Sequence, residues 1–316
     1  MTERRETGRS RRKPSGPRKP RPAPKSRKPA PEKDWSEGER IAKYLARAGI
    51  ASRREVERMI EEGKVTVDGV KLTSPAFKVT GREQIRVGRK TVQAPDVTRL
   101  WRYHKPSGLI TTTQDPEGRR TVFEELPKSL PRVVTVGRLD LTTEGLLLLT
   151  NDGALARALE LPKNELERTY RVRAHGTVTP EKIAELAKGI TVDGIDYKPI
   201  TAVLDRETGA NNWLTVTLSE GKKREVRRAL ESLDLKVNRL IRVQYGPFLL
   251  DDLRPGAVEE VPADLLQQAI GHLMNTEHAI KTDAPAPSGK RPAPKSRLGK
   301  GPSSARVPVR KRKNKK

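Results

Sequence analysis

Three short segments hold side chains whose types could act on a substrate. The first is Gly137-Arg138-Leu139-Asp140-Leu141-Thr142-Thr143-Glu144-Gly145, which runs into the apolar stretch Leu146 to Leu149. The second is Glu167-Arg168-Thr169-Tyr170-Arg171-Val172. The third is Leu218-Ser219-Glu220-Gly221-Lys222-Lys223-Arg224-Glu225-Val226-Arg227-Arg228. By type they offer a carboxylate, which can act as base or nucleophile, together with a phenol and several guanidinium groups. Read singly, each has an ordinary structural explanation. Asp140 can cap a turn or pair with Arg138. Tyr170 suits a half-buried strand, and the third segment a glycine turn into a solvated basic helix. Asp152 reads as the cap of a helix starting at Ala154.

Other chemistries are closed off. The 316 residues contain no cysteine, which excludes thiol nucleophiles, disulfides, cysteine-ligated zinc and iron–sulfur clusters. His104, His175, His272 and His278 show no metal-ligand spacing. No G-x-G-x-x-G follows a strand, so a dinucleotide or S-adenosylmethionine site has no fingerprint. No apolar run reaches the ~18–20 residues of a membrane span, and the basic, Pro-rich start has no apolar stretch of a secretory signal.

Charge points to a polyanionic partner. Lys and Arg total 65 against 40 Asp and Glu, a formal net of +25. Residues 1–34 carry 13 basic and 4 acidic side chains, and residues 281–316 carry 13 and 1. Both ends are rich in proline and lack aromatics, so they are expected to be disordered tails. The heptapeptide Arg-Pro-Ala-Pro-Lys-Ser-Arg occurs at 21–27 and again at 291–297. Such tails bind polyanions with strong salt dependence and little sequence preference. A cytoplasmic protein that faces nucleic acid is the expected class.

Between the tails, two modules are expected, at 37–96 and 97–265. In the first, Arg40 to Arg47 reads as a short helix. Ser52-Arg53-Arg54-Glu55 is a capping box opening a second helix that ends at Gly63. Lys64–Val67, Asp68-Gly69 and Val70–Leu72 then read as a hairpin. Arg40, Lys43, Arg47, Arg53, Arg54 and Arg58 fall on the faces that the apolar pattern leaves free, a surface suited to phosphates. In the second module, strands are expected at Leu100–Lys105, Val133–Val136, Leu146–Thr150, Thr169–Ala174 and Leu214–Leu218. Helices are expected at Ala154–Leu159, Pro180–Lys188 and Arg224–Ser232. Strands and helices do not alternate regularly, which favours an α+β fold over a doubly wound sheet.

Taken together the motifs carry two resemblances. Leu45 to Arg54, followed by Gly63 to Gly69, resembles the alpha-L RNA-binding motif of a small-subunit ribosomal protein. Gly-Arg-Leu-Asp at 137–140, Tyr170 downstream, and Glu-Gly-x-x-Arg-x-Val-Arg-Arg at 220–228 resemble the pseudouridine synthases that modify bacterial ribosomal RNA. Lys105-Pro106-Ser107-Gly108, Asp115-Pro116-Glu117-Gly118-Arg119 and Arg239-Leu240-Ile241-Arg242-Val243 extend the match across residues 40–255. Segments 115–123 and 224–228 place it nearest the members that act on the large subunit. Lys223 departs from the Asn that relatives often carry.

The resemblance implies a mixed, mainly antiparallel catalytic domain that isomerises uridine and needs no cofactor and no metal. It implies that Asp140 acts at the sugar as base or nucleophile, that Tyr170 stacks on an extruded base, and that Arg227 pairs with Asp140. Lys105, Arg138, Lys222 and Arg224 are the expected RNA contacts beside them. The expected partner is large-subunit rRNA or a ribosome assembly intermediate, met by a monomer. A non-catalytic assembly factor would share the tails and the first module, and a small-subunit synthase would share the motifs. Neither accounts as well for all the segments together.

Overall fold

The computed structural model describes residues 38–274. The expected tails at 1–34 and 281–316 lie outside the described residues. The described residues divide into two compact units, with the boundary between Pro95 and Asp96.

In the first unit, helices α1 (Ile41–Arg47) and α2 (Arg53–Glu61) precede strands β1 (Val65–Val67), β2 (Val70–Lys71), β3 (Ile85–Val87) and β4 (Lys90–Thr91). The Ser52 side chain accepts from the Glu55 N–H and starts α2. Asp68 and Gly69 both take positive φ, 51° and 82°, the conformation of a tight hairpin turn. Ile41, Leu45, Val56, Ile60, Val65 and Ile85 close a small core. The hairpin grows beyond expectation into a four-stranded sheet of order β2-β1-β3-β4.

The second unit is built on one mixed sheet. Its main strands are β5 (Leu100–Lys105), β6 (Thr143–Thr150), β7 (Arg168–His175), β8 (Thr201–Thr208), β9 (Asn211–Leu218), β10 (Lys236–Tyr245) and β11 (Val258–Glu260). Their order is β8-β9-β7-β10-β6-β5-β11, with two short strands, Phe248–Leu249 on β10 and Val134–Thr135 on β6. Every pairing is antiparallel except β10 with β6, where Leu240, Ile241 and Arg242 run beside Thr143, Glu144 and Gly145. That parallel seam joins the two halves of the sheet.

Helices α3 (Gly153–Glu160), α4 (Pro180–Lys188), α5 (Glu225–Glu231) and α6 (Ala263–Ile270) cover the sheet. Asp152 caps α3, as expected, and Thr179 caps α4. On the front face, Leu186 of α4 and Val226, Ala229 and Leu230 of α5 pack with Tyr170, Val172, Val216 and Leu240. Further along that face, Leu109, Val122 and Leu139 of the 106–139 segment pack on Trp101, Tyr103, Leu147 and Leu149. The back face holds a separate cluster, in which α3 and α6 cover Leu146, Leu148 and Tyr245. Each fully buried leucine contributes roughly 1.5–3 kcal/mol. The packed chain continues past the expected limit at 265, through α6 to Leu273.

Candidate active site

One row of residues crosses the front face at the seam. Val216, Tyr170, Arg242, Gly145 and Lys105 are successive cross-strand partners on β9, β7, β10, β6 and β5. Strand pleating turns paired residues to the same face, so this register brings distant segments to one place. Gly145 has φ 99°, and a Cβ there would lie 2.2 Å from the Arg242 carbonyl oxygen. Only glycine allows the two strands to approach this closely.

Asp140 stands on the loop leading into β6, and the backbone of that loop is tied down at Gly137, Leu139, Asp140 and Leu141. The Gly137 N–H donates to Glu160 Oε1 at 2.7 Å. The Thr111 hydroxyl donates to the Leu139 carbonyl at 2.9 Å and accepts from the Leu139 N–H at 3.3 Å. The Asp140 carbonyl accepts from the Thr143 N–H at 3.1 Å, and the Leu141 carbonyl from the Gly108 N–H at 2.8 Å. Lys105 Nζ donates to the carbonyls of Pro106 (3.1 Å), Leu141 (3.3 Å) and Thr143 (2.9 Å). Arg227 Nη2 donates to Thr142 Oγ1 at 3.0 Å. The Asp140 carboxylate, by contrast, accepts no hydrogen bond from the described residues. Its one ion pair is with Arg224 Nη1 at 3.8 Å, and its side chain is 38% exposed. A held backbone carrying a carboxylate free of hydrogen bonds is a preorganised arrangement for attack or proton transfer.

Two expected site residues stand differently in the structure. Lys105, expected among the RNA contacts, is fully buried, its ammonium spent on three backbone carbonyls. Burial lowers its pKa to about 8, against the opposing pull of Asp140 and Glu144. An ammonium has three donors, which match the three carbonyls. Arg227 makes no ion pair with Asp140. It lies buried on α5, donates to the Val237 carbonyl at 3.0 Å and to Thr142, and leaves Nε without a partner. Burial and neighbouring Arg224 lower its pKa, while Asp140 opposes the shift. Arg227 therefore acts on the loop two residues beyond Asp140, and Arg224 supplies the nearer charge.

Arg224 reaches that position through its backbone. It precedes α5 with φ 55°, a left-handed conformation uncommon for a residue with a side chain. The turn before it is closed by Glu225, whose Oε2 accepts from the Lys222 N–H at 2.8 Å. Burial raises the Glu225 carboxyl. Lys222 pairs with Glu220 at 3.0 Å and lies 5.7 Å from the Tyr197 ring. Arg138 is exposed on the Asp140 loop, and no ion pair joins the two. In the first unit, Arg40, Arg53, Arg54 and Arg58 are exposed, while Glu39 engages Lys43 at 2.7 Å and Arg47 at 2.9 Å.

Two participants have no signal in the sequence, and a third, Arg242, stands there only within the 239–243 segment. Thr111 and Glu160 are ordinary loop and helix residues until the fold sets them against the Asp140 loop. Arg242 is buried beside Tyr170, donates to the Leu146 carbonyl at 2.7 Å, lies 5.0 Å from the Tyr245 ring, and leaves Nη2 without a partner.

Comparison with known proteins agrees with this organisation. The RNA pseudouridylate synthase family matches residues 99–232, and the S4 domain matches 39–85. An uncharacterized RNA pseudouridine synthase of Rickettsia felis is 49% identical over 230 residues, 73% of this chain and 100% of that protein. Ribosomal large subunit pseudouridine synthase B of Yersinia pestis is 44% identical over 215 residues, 66% of this chain and 68% of that one. A crystal structure of a pseudouridylate synthase superposes with a TM-score of 0.53 at 25% identity, over 74% of this chain and 99% of that one. The chain with the tied-down Asp140 loop, joined to an S4 RNA-binding domain, belongs to the RNA pseudouridine synthase family, whose members are isomerases of uridine in RNA.

Proposed function

We propose that this enzyme converts one uridine of large-subunit ribosomal RNA to pseudouridine, in the cytoplasm and as a monomer. The target base leaves its stack, at a cost of a few kcal/mol. The bond from uracil N1 to the sugar carbon breaks, the base turns, and its carbon 5 joins the same sugar carbon. The proton on carbon 5 is lost and N1 gains one, so atoms balance with nothing imported and nothing oxidised. Asp140 acts at the sugar, as base or nucleophile. Tyr170 stacks on the base. Arg227 holds the Asp140 loop through Thr142, and its unpaired Nε and that of Arg242 Nη2 are buried donors beside the row. Arg224 and Arg138 contact phosphates, as do Arg40, Arg53, Arg54 and Arg58 of the S4 domain.

The observation that carries this reading is the contrast at Asp140, a fixed backbone with a carboxylate free of hydrogen bonds. Likeness to large-subunit synthases named as such supports the choice of rRNA. The test is pseudouridine mapping of rRNA by carbodiimide treatment and primer extension, in cells with and without the protein. One large-subunit stop should vanish, returning with the wild type and not with Asp140→Asn, while that variant still binds RNA. Restoration by Asp140→Asn would overturn the assignment of Asp140, and an unchanged large-subunit map would overturn the choice of substrate.

A further inference from the structure

The back of the sheet is covered by α3 and α6 only beneath β6, β5 and part of β10. The half formed by β8, β9, β7 and the start of β10 has no helix from the described residues packed on its back. From Tyr170 onward β7 alternates: Tyr170, Val172 and Ala174 are buried in front, and Arg171, Arg173 and His175 are exposed behind. The register then sets Arg206, Trp213, Arg173 and Arg239 in one row across four adjacent strands. At about 4.8 Å between strands, the row spans roughly 14 Å.

Its composition is not that of a neutral solvated face. Arg173 and Arg239 stand directly opposite each other, an arrangement that destabilises a sheet when nothing offsets it. Glu144 holds Arg239 with two hydrogen bonds, at 3.0 and 2.9 Å, and so neutralises one of the pair. Arg173 and Arg206 have no side-chain hydrogen bond or ion pair with the described residues. Trp213 sits half-buried between them, with the Arg171 guanidinium 5.1 Å from its ring. Lys236 adds a further charge beside His175 at the end of the face. The acidic side chains paired with arginines of this part of the face are Asp205, which meets Arg171 at 3.7 Å, and Glu144. Unpaired guanidinium groups around an aromatic ring suit phosphates and unstacked bases, and a protein partner would leave Arg173 beside Arg239 needing several carboxylates at once.

We propose that this face, with Arg206, Trp213, Arg173 and Arg239 in one row, is a second RNA-contact surface on the opposite side of the sheet from Asp140. It rests on the reading of the enzyme as a modifier of a large, folded RNA, in which segments distant from the target uridine can reach around the domain. The surface adds affinity and takes no part in the reaction.

The test uses the full-length chain and a large-subunit rRNA transcript several hundred nucleotides long. Arg173→Gln with Arg206→Gln should lower the slope of log affinity against log salt by about 1.4–1.8, the release expected for two phosphate contacts. Affinity should fall while the single-turnover rate at saturating RNA stays at the wild-type value. The charge-reversed pair, Arg173→Glu with Arg206→Glu, should lose more affinity in the same sense. Both positions are exposed, and a thermal melt that matches the wild type separates a lost contact from a lost fold. An unchanged slope in both variants overturns the proposal. So does a loss confined to ribosomal particles, with binding to naked transcript intact, which would assign the face to a protein. If the wild type isomerised no rRNA, the function proposed above would fall, yet the binding comparison would still decide this surface.

Discussion

Lys105→Met separates the integrity of the fold from the placement of the Asp140 loop. Methionine keeps the apolar stem and removes the ammonium. In the wild type, burial lowers the Lys105 pKa from 10.5 to about 8. At ~1.4 kcal/mol per pH unit, that places about 3 kcal/mol against holding the charge there at neutral pH. Contacts to three carbonyls return about 1–1.5 kcal/mol each, a similar sum. The two nearly cancel, so we expect the variant's stability at neutral pH to differ by no more than about 2 kcal/mol. Activity should respond differently. Without the ammonium, the Leu141 and Thr143 carbonyls lose their common tie, and a shift of ~1 Å in a catalytic group costs on the order of 100-fold in rate. The assays are single-turnover isomerisation of an rRNA transcript and denaturant melts across pH. The sign of the pH effect is fixed by the lowered pKa. Between pH 8 and 10.5 the unfolded chain retains the lysine proton that the folded chain sheds. The wild type should therefore gain up to about 3 kcal/mol relative to the variant as pH rises through that window. Wild-type turnover in the variant, or stability curves that stay parallel across the window, would refute the reasoning.

Three further outcomes are expected. Gly145→Ala sets a Cβ 2.2 Å from the Arg242 carbonyl oxygen at φ 99°, so it should cost about 3 kcal/mol or more and open the β10–β6 seam. A melting temperature within a degree of wild type would show that the seam tolerates it. Arg227→Ala removes both the tie to Thr142 and a buried charge, and should reduce single-turnover rate on the order of 100-fold. Arg224→Gln removes only the 3.8 Å ion pair of a half-exposed carboxylate and should act mainly through RNA affinity. The reverse ranking in rate would make Arg224 the principal partner of Asp140.

Much of the local structure was legible in the residues. Ser52 and Glu55, Asp68-Gly69, Asp152, and Thr179 with Pro180 each mark a cap or turn through side-chain and backbone preferences that act within four residues. Alternation exposed β7 and β9, and the three motif segments named the loop, the tyrosine strand and the basic helix. Strand β10 carries Lys236, Arg239 and Arg242 and two register shifts, so its residues show no clean alternation. Strand β8 and helix α6 give no strong local pattern either, since their apolar residues are covered only by distant parts of the chain.

What the sequence determined by itself was the inventory: a basic, cysteine-free chain with one arginine-flanked aspartate loop, a tyrosine strand and an α+β element order. What the tertiary structure decided was which of those side chains face one another. Lys105 reads as an RNA contact and is instead buried, as is Arg242, because β6 lies between β5 and β10 and supplies carbonyls that receive them. The same parallel seam brings Asp140, Arg224 and Arg227 within reach of one another, over more than eighty residues of intervening chain. Short-range preferences act along the chain and can be read from it. Burial and charge pairing act across the sheet, and they exist only once the strand order is set.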